Sequence, residues 1–135
     1  MTSWFVDANV FLRFLTVDDQ GQHEKAAGLL GKAARGQIRL VCGPPVLFEL
    51  AWTLRVAYKT PGAKVVEILN AIYSMPGLTL TDEPLVASAL TLASETGGEF
   101  ADAYIAASSR ASACSGVATF NRKDFARLGV NMADL

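Results

Sequence analysis

SWFVDANVFLRF, residues 3–14, decides how the rest of the chain is read. Ser3–Val6 have the length and apolar content of a short buried strand, and Ala8–Leu15 follow with helical spacing. A strand therefore passes almost directly into a helix, and an aspartate stands at the junction. Asp7 has Trp4, Phe5 and Val6 on one side and Val10, Phe11 and Leu12 on the other. An ionised carboxylate in such company is costly unless a cation or several hydrogen-bond donors meet it. Its partner must come from elsewhere in the chain or from solution.

The strand-then-helix unit recurs downstream. QHEKAAGLLGKAARG (22–36) has helical periodicity, with Gly36 placed as a C-terminal cap. IRLVC (38–42) reads as a second strand, and GPPVLFELAWTLRVAY (43–58) as a helix with its prolines at the tolerated end. TPGAKVVEILNAIYSM (60–75) is a helix with Thr60 as N-cap and Pro61 in the first turn, closed by Pro76-Gly77. LTLT (78–81) is a third strand, DEPLVASALTLASET (82–96) a helix ending at Gly97-Gly98, and ADAYIAASSRASAC (101–114) another helix. GVATF (116–120) reads as a fourth strand and RKDFARLG (122–129) as a final short helix. Such alternation implies a parallel sheet covered on both faces, with ligands at the carboxyl ends of its strands.

A chain of 135 residues is long enough for one domain with a real core, and 51% hydrophobic against 19% charged residues excludes disorder. No apolar run reaches the roughly 20 residues of a membrane span. Asp7 and Arg13 interrupt any signal-peptide core, so a soluble cytoplasmic protein is expected. Cys42 and Cys114 read as two small buried residues. His23, the sole histidine, falls in a polar, exposed helix start. Zinc hydrolase and Ser-His chemistry drop out, because zinc sites gather several Cys or His ligands. The net charge of −1 does not mark a nucleic-acid binder, but the distribution is uneven. No Lys or Arg lies between Lys64 and Arg110, a span that holds Glu67, Asp82, Glu83, Glu95, Glu99 and Asp102. A polyanion approaching that segment would need metal ions to tolerate it.

Two more acids share the predicament of Asp7. Glu49 is the only charge between Arg39 and Arg55; its helical neighbours Pro45, Val46, Trp52 and Thr53 offer no cation. Asp102, in GGEFADAYIAA, has Ile105 and Ala106 at i+3 and i+4. Asp102 is also placed to cap the helix it opens, whereas Glu49 lies too far inside its helix for that. If the three converge, their repulsion keeps one protonated unless a divalent ion neutralises them. Oxygen ligands without His or Cys select Mg²⁺ or Mn²⁺. In ATFNRKDF (118–125), Asn121 and Asp124 have the spacing of a capping pair, and Arg122 and Lys123 set cations beside the acid.

The ordered set VDANV, LFELAWTL, FADAYIAA and TFNRKDF resembles the PIN-domain family, most closely the VapC-type toxins of bacterial toxin–antitoxin pairs. The likeness covers essentially the whole chain, 1–135, as one domain. It implies a single-domain, three-layer α/β/α fold with a short central parallel sheet. It also implies a Mg²⁺-dependent endoribonuclease, Mn²⁺ being a substitute, with one or two ions. Asp7, Glu49, Asp102 and Asp124 are then the catalytic and metal-binding acids. Asn9 would steady Asp7, and Thr119 would orient the last motif. Family members often carry Asp where this chain has Asn121, so either Asp124 takes over or Asn121 holds a metal-bound water. Glu99 is a possible outer acid. Arg13, Arg122 and Lys123 are candidate contacts for RNA phosphates.

The same resemblance implies an RNA substrate, a homodimer and a cognate VapB-like antitoxin. The amphipathic helices at 23–35 and 61–75 are candidate docking surfaces. Two other readings compete. One is a catalytically weakened PIN-like module that only binds RNA or protein, supported by Asn121. The other is a phosphotransferase of the haloacid-dehalogenase kind, which wants a second Asp where this chain has Asn9 and leaves Glu49 without a role.

Overall fold

The computed structural model describes residues 1–135. They form one α/β domain in the order β1 (Ser3–Phe5), α1 (Ala8–Leu15), α2 (Gln20–Ala34), β2 (Arg39–Cys42), α3 (Pro44–Val56), α4 (Gly62–Tyr73), β3 (Leu78–Leu80), α5 (Glu83–Thr96), α6 (Phe100–Ala111) and α7 (Arg122–Arg127). The three strands make one parallel sheet with β2 in the centre. Its register sets Trp4 beside Leu40 beside Leu78, and Phe5 beside Val41 beside Thr79. An α/β domain with a short parallel sheet is thus what the alternation of elements predicts.

The two sheet faces are not equally covered. Val6, Leu40, Cys42 and Leu80 are buried, whereas Phe5 and Thr79 are exposed and Val41 is half-buried. The expected burial of Ser3–Val6 fails for β1, where Trp4 and Phe5 are 57% and 64% exposed. The segment 116–120 does not join the sheet as a fourth strand. Val117 makes only an isolated bridge to Met132. Its N–H donates to the Asn131 carbonyl, and its own carbonyl accepts from the Ala133 N–H. With those backbone groups taken by the C-terminal tail, the outer edge of β1 stays unpaired.

The main core gathers Phe11, Leu40, Leu47, Leu50, Leu69, Ile72, Val86 and Phe100 from both halves of the chain. A smaller core beside it joins Val66, Leu92, Ala103, Ala106, Phe125 and Leu128, and this pins α7 against α6. Local signals set most element ends. Asp7 caps α1 through a 2.8 Å bond from the Ala8 N–H, and Gly43 precedes the two prolines that open α3. At α4 the expected cap is displaced: Pro61 occupies the N-cap position and Thr60 lies outside it. Cys42 is buried as expected, but Cys114 is exposed, because α6 ends at Ala111 and its continuation turns outward. His23 is half-buried rather than exposed. Its ring stacks on Phe14, and Nδ1 donates to the Arg13 carbonyl at 2.9 Å.

Candidate metal centre

Three aromatic rings position the start of α6. Phe100 is buried and packs on Phe48 at 5.5 Å, and Tyr104 meets Phe48 edge-on at 5.0 Å. This docks the first turns of α6 on the middle of α3. Asp102 sits in the first turn of α6, half-buried. It is not the cap: Glu99 holds that position and makes no capping bond. No hydrogen bond or ion pair in the fold reaches the Asp102 carboxylate.

Phe125 and Leu128 pack beside Ala103 and Ala106, which brings Asp124 close to Asp102. The Asp102 carboxyl is pushed above its ordinary value of 3.8, first by burial, then by the charge of Asp124, then by that of Glu99. Asp124 is half-buried in the first turn of α7 and accepts from Asn121 Nδ2 at 3.0 Å. Asn121 stands at the N-cap position of α7 without capping it; its side chain is spent on Asp124 instead. The Asn121 N–H donates to Thr119 Oγ1 at 2.9 Å, so Thr119 does hold this loop in shape.

The other candidate acids are carried by other elements. Asp7 lies past the carboxyl end of β1, capping α1, and Asn9 Nδ2 reaches it only at 3.5 Å, the outer limit of a hydrogen bond. Glu49 is exposed on α3, opposite the stripe of Val46, Leu47, Leu50 and Leu54 that faces the core. Its apolar sequence surroundings belong to that buried stripe and do not desolvate it. Arg55 Nε donates to Glu99 Oε1 at 3.1 Å, an ion pair across 44 residues of sequence that no local spacing announces.

The candidate phosphate contacts divide similarly. Arg13 is engaged by Gln22 at 2.8 Å and lies 4.0 Å from Asp18. Arg122 donates to the Ala133 carbonyl at 2.7 Å and to Thr119 at 3.4 Å, tying down the C-terminal tail. Lys123 is exposed and makes no ion pair or hydrogen bond.

No group of three or more His, Cys, Asp or Glu side chains stands close enough to hold a metal ion. A hydrated Mg²⁺ asks for less, since one or two carboxylates usually hold it, with water and phosphate oxygens completing its shell. Asp102 and Asp124 meet that requirement in donor type and in unrelieved like charge. The residues present therefore fit a hard divalent ion at this pair.

The family model of the PIN domain matches residues 4–131. Comparison with curated proteins finds no match. The matched span takes in β1 through α7 and both acids of the pair, and such domains are generally metal-dependent nucleases. By that match and by its parallel sheet, the chain belongs to the PIN-domain family.

Proposed function

We propose that the chain, read as one domain over 1–135, is a metal-dependent endoribonuclease of the VapC kind. The observation that carries this is the Asp102–Asp124 pair, whose like charges meet without a cation at the α6–α7 contact. Asp102 and Asp124 would hold Mg²⁺ or Mn²⁺. Asp7 and Glu49, the acids of the first two motifs, are proposed as the further site residues on the strength of motif order alone. Held by these acids, such an ion would supply Lewis acidity, lowering the pKa of a water and offsetting charge on the phosphate. Asn121 keeps Asp124 oriented through its amide, and Thr119 fixes the turn that carries both. Lys123 is free to take a flanking phosphate, whereas Arg13 and Arg122 would first have to leave their present partners. Hydrolysis of this type leaves a 5′-phosphate and a 3′-hydroxyl.

The toxin role completes the proposal. The partners are a cytoplasmic RNA, a second copy of the chain, and a VapB-like antitoxin that inhibits it. Asp102→Asn and Asp7→Asn are each expected to abolish RNA cleavage with the far-UV spectrum unchanged, and chelation is expected to stop the wild type until Mg²⁺ or Mn²⁺ is restored. Full cleavage by either purified variant, or by chelated protein, overturns the assignment. The reading as a weakened binding module draws on Asn121 and on the lack of any group of three acids close enough to hold an ion. RNA binding without cleavage across a full metal titration would favour it.

A further inference from the structure

A groove of about 270 Å³ runs between α3 and the start of α6, and Asp102 lies on its lining. Phe48 and Phe100 contribute to its apolar wall. Trp52 stands on the rim, 65% exposed, with Val56 one turn further along α3 at 54%. The rest of α3 hides its large side chains: Leu47, Leu50 and Leu54 are all buried. A tryptophan left in water on such a helix forgoes the stabilisation its ring would gain from burial. Glu49 lies on the same exposed stripe, three residues before Trp52. Arg55 and Glu99 line the groove too, joined by their ion pair.

We propose that Trp52 is a base-stacking residue that holds the nucleotide next to the scissile bond of single-stranded RNA. This rests on the ribonuclease reading above and adds a recognition site to it. A phosphate drawn to an ion at Asp102 places the neighbouring nucleotide in the same groove. Single-stranded RNA is recognised by splaying unstacked bases onto aromatic side chains. Every base has a π face, so one exposed indole holds it without matching hydrogen bonds. Phe100 and Ala101 of α6 line the groove with the Trp52 rim. A paired base, stacked within a duplex, presents no free face to it.

The test uses the full chain in two arms. In the first, Asp7→Asn prevents cleavage while keeping Asp102, and Trp4→Phe leaves Trp52 as the only tryptophan. Titration with a single-stranded oligoribonucleotide of about ten nucleotides should quench its emission saturably, and a duplex of equal length should not. In the second, Trp52→Ala in the active chain should raise KM for single strands about ten-fold, with kcat within about two-fold. Trp52→Phe should restore most of the affinity. An unchanged KM in Trp52→Ala overturns the proposal. So does emission that ignores single strands but shifts when the chain alone is diluted, which would make the strip a contact between protein copies. If the wild type cleaves nothing, the ribonuclease reading fails while the quenching arm still decides whether Trp52 stacks on RNA.

Discussion

Asp102 is held above the ordinary carboxyl range by its surroundings. Its pKa is raised from 3.8 in the folded chain, so folding disfavours its ionised form. The folded protein thus keeps this proton to higher pH than the unfolded chain does. Ionised Asp102 subtracts from stability above its folded pKa, and that loss disappears as pH falls through the unfolded value. In metal-free protein, Asp102→Asn is therefore expected to melt higher than the wild type at pH 7, with the gap closing on acidification toward 3.8. Thermal melts from pH 7 downward check this; a gap that widens in acid contradicts it. The cysteines give a second contrast. Burial pushes the Cys42 thiol up to about 11, against a smaller lowering by a backbone hydrogen bond with Gly43, whereas Cys114 is exposed. A thiol reagent at pH 8 should label Cys114 alone in native protein and both cysteines after denaturation. Rapid native labelling of Cys42 would refute the placement of β2.

Among the elements, the turns separate positions that look alike in sequence. Gly36 and Gly77 both follow helices and both adopt positive φ, +75° and +83°. A Cβ on Gly36 would meet nothing, so Gly36→Ala should cost about 1 kcal/mol of backbone strain. A Cβ on Gly77 would strike the Ala33 carbonyl, because the turn into β3 passes directly over the end of α2. Gly77→Ala should therefore cost more, about 2 kcal/mol or above. Urea melts of the two variants test the ordering, and equal midpoints would count against this packing. At the opposite extreme, the ion pair between Arg55 and Glu99 is half-exposed and should contribute under about 1 kcal/mol. What α6 relies on is the ring contact of Phe48 with Phe100 and Tyr104.

For the whole molecule, the proposed ion links stability to metal concentration. No helix of the fold is long and apolar enough to cross a membrane. A divalent ion at 100 times its dissociation constant adds about 2.7 kcal/mol. For a domain of this size that is a rise in Tm on the order of 10 °C. Mn²⁺ should raise the melting temperature of the wild type and leave a chain carrying both Asp102→Asn and Asp124→Asn unmoved. An equal rise in both proteins would place the ion elsewhere. The measurement needs no RNA and no turnover, so it judges the site separately from the nuclease assignment.

Local chemistry made much of this protein readable from its residues. Apolar spacing, prolines at helix starts and glycines at helix ends act within a few positions, so three strands and seven helices stand near their expected places. The order of the acids along the chain is equally a property of sequence. Which acids meet is decided only by tertiary packing: Phe125 and Leu128 on α7 seat against α6 and bring Asp124 to Asp102, while Glu49 rotates outward because Leu47 and Leu50 take the core. The fate of 116–120 was likewise hidden. A strand-like pattern states that a segment wants a backbone partner but not which one, and here the C-terminal tail outcompetes the edge of β1.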